Sequence, residues 1–385
     1  MHRASGIVFF LVIALSLIGG LHYYFWARLV RDTALPAPWR QLATGALWLL
    51  GLSLPLSMML WRSHNPLRRL LTWPAFVWMG MLMILGVVVL GADLVRVLVR
   101  LGGGVRDPER RLLFRRALGA AAATLSAGLG ALALREGTKR VAVREVEVTL
   151  PRLPKALDGF TIVQLTDVHI GGQTLGRQFI EEVVATSNGL SADLIAITGD
   201  LVDGSVEELR HSVAPLGQLR ARHGVFFVTG NHEYYSGVDD WMTHLPSLGV
   251  RVLRNERVTV GSGADAFDLA GVDDFNARGV PGHGPDLPRA LAGRDGAREL
   301  VLLAHQPRAI HEAAAHGVGL QLSGHTHGGQ IFPWNFMVRL QQPYVAGLAR
   351  HRGTQLYVSR GTGYWGPPMR LGAPAEITRI RLRAT

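Results

Sequence analysis

The sequence predicts a protein of two parts, about four transmembrane helices followed by a layered α/β domain. Long apolar runs separated by short arginine-bearing loops fill residues 1–134, which is typical of membrane spans. From residue 141 onward the pattern changes to short β-rich runs that alternate with helical patterns, which favours a layered α/β fold. Polar residues directly follow several of these β-rich runs, where open α/β sheets place their ligand sites.

The composition narrows the class of protein further. The chain has 385 residues, no cysteine and a net charge of +11. Without cysteine there is no disulfide, no Cys-ligated zinc and no thiol catalysis. Residues 1–134 contain 14 arginines, no lysine and four acidic side chains, whereas the remainder is nearly neutral. The positive charge therefore follows membrane topology, and we expect no nucleic-acid partner.

The predicted domains are a transmembrane region at 1–134, a linker at 135–154 and a globular domain at 155–385. The four apolar runs lie at about residues 6–26, 42–60, 72–95 and 117–134. Aromatic residues such as Tyr23, Trp26 and Trp73 stand at their ends, as interfacial aromatics do. Buried core helices are the alternative interpretation, but short arginine-bearing loops between three strong runs argue against it.

The distribution of basic residues orients the chain. With the N-terminus outside, the loops assigned to the cytoplasm hold slightly more basic residues, which predicts a C-terminal domain on the extracytoplasmic face. Paired arginines, at Arg110-Arg111 and Arg115-Arg116, precede the fourth run and resemble a twin-arginine export signal. An ordinary span after a positive loop is the alternative, with the same orientation. If the fourth run does not cross the membrane, the domain is cytoplasmic.

The C-terminal part contains seven runs that read as strands. They lie at residues 160–167, 194–200, 224–231, 300–306, 320–325, 354–360 and 376–384. Helical patterns separate the first three, so their spacing is about one βα unit each. The last run alternates apolar and polar residues and predicts a half-exposed strand.

The polar residues after these runs predict a metal site. The candidate ligands are Asp167, His169, Asp200, Asn231, His305, His325 and His327. In an extended backbone, residues two apart point to the same side, so each Asp-x-His or His-x-His pair reaches one pocket. Mixed carboxylate, imidazole and amide ligands suit Mn, Fe or Zn. Seven ligands suit two divalent ions roughly 3.5–4 Å apart, an arrangement that activates water for attack at phosphorus.

Five ordered motifs, DVH, GDLVD, GNHE, AHQP and GHTHGG, resemble those of the calcineurin-like metallophosphoesterases over about residues 155–385. LSGHTHGGQIFP and LYVSRGTGYWGPPMRLGAPAEIT further resemble the membrane-associated or exported bacterial branch. That branch includes UDP-2,3-diacylglucosamine pyrophosphohydrolases of lipid A synthesis and cell-envelope phosphodiesterases. The resemblance implies a four-layer αββα sandwich with two metal ions at the strand ends.

The resemblance also implies a role for each residue. One metal ion would be held by Asp167, His169 and His327, and the other by Asn231, His305 and His325. Asp200 would bridge both ions, and His232 would act as the general acid. For five further residues the sequence leaves the role open. Asp203 and Glu233 orient neighbours or meet solvent rather than bind metal, and Asp273, Asp274 and Arg360 are candidates to touch the site or substrate.

These observations predict a membrane-anchored binuclear phosphoesterase, multi-pass in a bacterial inner (plasma) membrane. Its substrate would be a phosphorylated small molecule or a lipid, such as UDP-diacylglucosamine, cleaved at a phosphodiester or pyrophosphate bond. The alternatives are a nucleotide or nucleic-acid phosphodiesterase and a non-catalytic membrane sensor of phosphate ligands; no oligomeric state is predicted. Five apolar residues near the motifs either contact a lipid-linked substrate or belong to the core: Phe332, Trp334, Phe336, Met337 and Trp365.

Overall fold

The computed structural model describes residues 2–60, 68–172 and 175–385. Within these ranges the chain forms eleven α-helices and twelve β-strands. The helices are α1 His2–Trp26, α2 Trp39–Leu60, α3 Arg68–Leu101, α4 Pro108–Thr138, α5 Arg177–Gly189, α6 Val206–Val213, α7 Asn231–Tyr235, α8 Val238–Ser247, α9 Leu287–Ala290, α10 Ile310–Ala315 and α11 Asn335–Val338. The strands are β1 Ala142–Leu150, β2 Thr161–Leu165, β3 Leu194–Thr198, β4 Val225–Val228, β5 Val250–Val252, β6 Glu256–Ser262, β7 Asp265–Gly271, β8 Leu300–Leu303, β9 Leu320–Ser323, β10 Gly347–His351, β11 Thr354–Val358 and β12 Glu376–Ala384.

The N-terminal unit contains four helices, α1 to α4, that are long and apolar enough to cross a membrane. They cover the four predicted apolar runs; residues 61–67, which include Arg62 of the predicted second loop, lie outside the described residues. Phe25 of α1 is buried with Leu85 and Val89 of α3. The buried face of α4 consists of small residues, which let helix backbones approach closely: Gly119, Ala122, Ser126, Gly130 and Ala133.

Two six-stranded sheets form the framework of the C-terminal unit. Sheet 1 has the strand order β1-β12-β2-β3-β4-β5, and β2 to β5 run parallel. Sheet 2 has the order β10-β11-β9-β8-β7-β6, with β11, β9, β8 and β7 parallel and an antiparallel strand at each edge. Parallel central strands leave their carboxyl ends on one edge of each sheet, which is where a site is expected.

The sheets pack face to face, with helices on both outer faces. Between them lies a core that includes Ile162 and Leu194 of sheet 1 and Leu303 of sheet 2. The next residues along β2 and β3, Val163 and Ile195, point the other way and pack with α5, α6 and α8. The outer face of sheet 2 is covered by α9 and α10. The predicted four-layer αββα fold is confirmed, and strand alternation builds it.

The structure differs from the sequence expectations at the strand ends and in the linker. The central strands stop about two residues earlier than predicted, so the polar residues lie in loops beyond the ladders. The stretch predicted as a linker at 135–154 contains β1, which pairs with β12. Because β12 has a partner on both sides, it is more buried than the half-exposed strand that its alternation predicts. The β6–β7 hairpin was not predicted.

Candidate metal centre

The segments that follow five strands carry the candidate residues, in loops or, for Asn231 and His232, at the start of α7. Sheet 1 contributes Asp167 and His169 after β2, Asp200 after β3, and Asn231 and His232 after β4; sheet 2 contributes His305 after β8, and His325 and His327 after β9. Nitrogen and oxygen atoms of the carboxylate and imidazole side chains form three clusters, and within each cluster they lie within 4.8 Å of one another; two of the clusters share His169. Each of the two main clusters contains residues from both sheets, so the site sits where the two edges meet.

Asp167, His169 and His327 form the first cluster, and all three are buried. The Nε2 atoms of His169 and His327 lie 3.1 Å apart, and Nε2 of His327 lies 3.5 Å from Asp167 Oδ1. The Asp167 carboxylate also accepts hydrogen bonds from the backbone N–H of His325 and from the Thr166 hydroxyl. The three candidate ligand atoms therefore face one point, and these hydrogen bonds fix the orientation of the Asp167 carboxylate.

Asp200, His305 and His325 form the second cluster. Nε2 of His305 lies 3.0 Å from Asp200 Oδ2 and 3.2 Å from Nδ1 of His325. The Asn231 side chain is nine-tenths buried, and its Oδ1 has no hydrogen-bond partner among the described residues. A buried carbonyl oxygen without a partner costs free energy unless something else binds it, so Asn231 fits a metal ligand.

The backbone brings these side chains together in an unexpected way. Extended backbone was expected to point Asp167 with His169, and His325 with His327, into one pocket. Asp167 and His169 do meet in one cluster. The expected extended backbone is wrong, because all four residues have φ between 49° and 71°, in the left-handed region. Asp200 shares this conformation, with φ of 51°. Residues other than glycine seldom adopt it, and such strain concentrates at functional sites.

Hydrogen bonds behind the rings select which histidine nitrogen faces the centre. Nδ1 of His305 lies 2.8 Å from the carbonyl oxygen of Thr198, which can only accept, so this nitrogen carries the proton. Nδ1 of His169 likewise donates to Asp203 Oδ1 at 3.1 Å. Nε2 is therefore the nitrogen of each ring that faces the centre and would bind a cation, as in metal sites where a second hydrogen bond orients the ring.

His232 lies beside the clusters and is held by the same carboxylate. Its Nδ1 donates to Asp203 Oδ1 at 2.6 Å, and its Nε2 lies 4.0 Å from Asp200 Oδ2. Burial lowers the pKa of His232, but the charges of Asp200 and Asp203 outweigh it and raise the pKa to about 9. His232 therefore holds a proton at neutral pH, with Nε2 directed at the pocket.

Two other histidines are kept neutral. Burial, and then the neighbouring charge of His305, lower the pKa of His325 to about 3. Burial and the charges of His169 and Arg370 hold the pKa of His327 well below its usual range. Neutral imidazoles offer lone pairs to a metal ion. His305 differs from these two: burial lowers its pKa, but the charge of Asp200 and the hydrogen bond to it hold the pKa well above its usual range.

Glu233 ties two of the loops together from behind. It is fully buried, and its Oε2 accepts hydrogen bonds from the backbone N–H groups of Asp200 at 3.0 Å and Gly230 at 2.6 Å. Its Oε1 accepts from Leu201 N–H at 2.8 Å. The two loops approach so closely that a side chain at Gly230 would overlap the Asp200 carboxylate. Glu233 thus orients its neighbours, one of the two roles that the sequence left open.

The remaining candidates lie outside the ligand clusters. Asp273 forms a bidentate pair with Arg254, and Arg360 pairs with Glu376. Asp274 accepts two hydrogen bonds from Gln306, the residue after His305, and so supports a ligand loop.

Sequence reasoning missed Arg370, which is fully buried and donates to the backbone carbonyls of Ala373, Arg360 and, at 3.4 Å, His327. Arg370 therefore helps to hold the backbone at His327, a candidate ligand, in place. An isolated arginine in an apolar, glycine-rich stretch was the only available signal, and nothing in the spacing connects it to the site.

The fold and these donors define a metal-binding α/β protein, and comparison with known proteins identifies its family. The sequence model of the family described as calcineurin-like phosphoesterase matches residues 160–329. A transmembrane protein with metallophosphoesterase domain from Bos taurus is 45% identical over 73% of this chain and 65% of its own length. A metallophosphoesterase of Helicobacter pylori is 42% identical over 64% of this chain and 65% of its own length. A metallophosphoesterase of Campylobacter jejuni is 34% identical over 76% of both chains.

The chain therefore belongs to the calcineurin-like metallophosphoesterase family. The chain spans slightly less than two thirds of the length of the bovine and Helicobacter pylori relatives.

The Glu233 contacts generate a prediction about metal binding. In Glu233→Gln the amide presents N–H groups to backbone N–H donors, so the loops of Asp200 and Asn231 lose their fixed positions. We expect the affinity for Mn²⁺ to fall by roughly 10–100-fold, the range for losing a group that orients metal ligands. Metal competition titrations on the purified full chain measure this. Glu207→Gln, at an exposed position of α6, is the matched control, and equal affinities for the two variants would contradict the role of Glu233.

Proposed function

We propose that this protein is a metal-dependent phosphoesterase that binds two divalent ions, Mn, Fe or Zn. One ion would be held by Asp167, His169 and His327 and the other by Asn231, His305 and His325, with Asp200 shared between them. The observation that carries the proposal is the convergence of two ligand clusters, with His232 held beside them by Asp203. When bound, two such ions supply positive charge to the phosphoryl oxygens and activate water for attack at phosphorus.

His232 is the proposed general acid. Its Nε2 is directed at the pocket, and Asp203 holds the ring in place through Nδ1. A protonated imidazole in this position can transfer its proton to the leaving alkoxide, the oxygen that departs when the ester bond to phosphorus breaks. Its backbone N–H donates to Asp200 Oδ1 at 2.8 Å, so the acid is fixed relative to the shared carboxylate.

We further propose that the substrate is a phosphodiester or pyrophosphate linked to a lipid; on the cytoplasmic side of the membrane, UDP-diacylglucosamine is one such compound. Two aromatic rings, Tyr235 and Trp365, stand 5.3 and 6.0 Å from the His232 ring and are more than half exposed. Exposed aromatics beside a polar reaction centre suit a substrate that joins a phosphate to an apolar part. The four candidate spans support a substrate in the membrane.

The membrane placement is also a proposal. We infer a multi-pass protein of a bacterial inner membrane with the phosphoesterase domain on the extracytoplasmic face. The arginine distribution of the loops and the paired arginines in the first turns of α4 support this orientation.

Catalysis by His232 predicts a dependence on the leaving group. His232→Ala should retain bound Mn²⁺ and lose roughly 10²–10⁴-fold in kcat on a diester with an alkyl alcohol leaving group. The loss on bis-p-nitrophenyl phosphate should be smaller, because p-nitrophenolate departs without a proton. Asp200→Ala should lose metal as well as activity. The exposed His211→Ala is the control. If the wild-type chain hydrolyses neither ester with any of Mn²⁺, Fe²⁺ or Zn²⁺, the enzymatic proposal fails and a phosphate-ligand sensor takes its place.

The lipid link predicts a preference between two nucleotide sugars. UDP-2,3-diacylglucosamine, presented in mixed micelles, should be hydrolysed faster than UDP-glucosamine, which has the same pyrophosphate but no acyl chains. The measurement is the rate at which UMP is released from each substrate, with the two substrates at equal concentration. Equal rates, or a faster reaction of the free nucleotide sugar, would favour the nucleotide phosphodiesterase instead.

The orientation is tested with reporters fused to the full chain. Alkaline phosphatase, which matures only outside the cytoplasm, should be active when fused after Thr385, while green fluorescent protein at the same place should be dark. A fusion after Gly104, in the predicted cytoplasmic loop, is the matched control and should give the opposite pair of signals. A cytoplasmic C-terminus would overturn the export proposal and favour a substrate on the cytoplasmic side, as lipid A synthesis requires.

A further inference from the structure

Most of the large apolar side chains that follow the GHTHGG motif do not belong to the core. Among the described residues from Glu136 onward, nine large hydrophobic side chains are exposed, and seven of them lie between Phe332 and Trp365. Five occupy one short segment, which we call the apolar patch: Phe332 at 53%, Trp334 at 51%, Phe336 at 52%, Met337 at 48% and Leu340 at 78% exposure. Scattered exposed hydrophobic residues are ordinary, but a concentration of this kind marks an interaction surface.

The patch is held in place at both ends, so its exposure is built into the fold. Before it, the Gln330 amide donates to the carbonyl of Trp365 at 2.9 Å and accepts from the Trp365 N–H at 3.1 Å. After it, the buried Gln342 accepts from Arg308 N–H and donates to Gln306, both at 3.1 Å. Gly329 is a necessary part of this arrangement, because a side chain there would overlap the backbone of Asn335.

The same anchors place the patch beside the catalytic pocket. Gln330 follows the ligand His327 by three residues, and Trp365, to which Gln330 binds, lies 6.0 Å from His232 between ring centres. Whatever covers the patch therefore lies close to the metal centre.

The charge of the surrounding chain indicates what covers it. From Glu312 to Glu376 the sequence contains no acidic residue in between, but five arginines. Three of these, Arg339, Arg350 and Arg352, are exposed, and Arg339 lies within the apolar segment itself. Aromatic and aliphatic side chains combined with arginines and without acids suit an anionic lipid surface, where rings enter the interface and guanidinium groups meet the headgroups.

We propose that the apolar patch docks onto an anionic lipid bilayer, so that the metal pocket opens beside the membrane surface. The patch inserts its side chains at the level of the headgroups, while Arg339 binds the lipid phosphates. The membrane spans bring the domain to a bilayer, and the patch then determines which face of the domain meets it. This docking does not depend on the reaction proposed above.

The chain lacks cysteine, so single cysteines can be introduced without background. Leu340→Cys tests the patch, and Ala264→Cys, in the exposed turn between β6 and β7, is the matched control. Each full-length variant is spin-labelled in nanodiscs of phosphatidylglycerol and phosphatidylcholine. Collisions of the label with oxygen, which partitions into lipid, are compared with collisions with a water-soluble nickel chelate. We expect the ratio of oxygen collisions to nickel-chelate collisions to be several-fold higher at position 340 than at position 264.

Arg339→Gln in the Leu340→Cys chain should lower this ratio, and nanodiscs of phosphatidylcholine alone should lower it as well. Equal ratios at 340 and 264 would overturn the proposal. Spin–spin broadening at 340 would overturn it too, since it would show a second copy of the chain on the patch. Hydrolysis of bis-p-nitrophenyl phosphate by each labelled variant reports folding. If lipid contact is found where no variant and no wild type hydrolyses the ester, docking stands and the proposed reaction fails.

Discussion

The whole C-terminal unit depends on keeping a group of carboxylates and imidazoles close together and out of water. Asp167 and Asp200 are buried and Asp203 is nearly so, and histidine nitrogens lie 3.0–3.5 Å from their carboxylate oxygens. Burying charges is costly unless opposite charges and hydrogen bonds compensate. Here the compensation comes from the histidines and from hydroxyl and backbone N–H donors, whereas Glu233 fixes the loops but is itself a buried carboxylate. Left-handed backbone at five of the ligand positions adds to the cost, so the rest of the fold must be stable enough to hold it.

The sandwich supplies that stability and also the geometry. Each main ligand cluster draws on loops from both sheets, so the centre forms only when the two sheets pack in the correct register. The core between the sheets, with Phe267 and Tyr357 fully buried, fixes that register. A bound cation would in turn cross-link the edges of the two sheets. The packing of the two sheets and the geometry of the candidate ligands therefore depend on each other.

The sequence predicted the architecture well because the signals were strong. Apolar runs, strand periodicity and polar residues at strand ends identified the spans, the layers and the candidate ligands. The sequence-based predictions were wrong or incomplete where the structure depends on residues that are far apart in the chain. The polar residues after β2 and β9 lie in left-handed turns, not in extended strand, and no local pattern distinguishes the two. The sequence did not predict β1, because its partner β12 is more than 200 residues away. Arg370 and the exposure of Phe336 also depend on distant parts of the chain.

One oxygen atom connects two functions that are usually considered separately. Asp203 Oδ1 accepts hydrogen bonds from both His169, a candidate ligand, and His232, the candidate acid. An ion bound to His169 would draw electron density from the ring and strengthen the donation of its N–H to this oxygen, which would leave less negative charge for His232. The identity of the ion would then influence how readily His232 gives up its proton, so metal preference and working pH would be coupled through this atom.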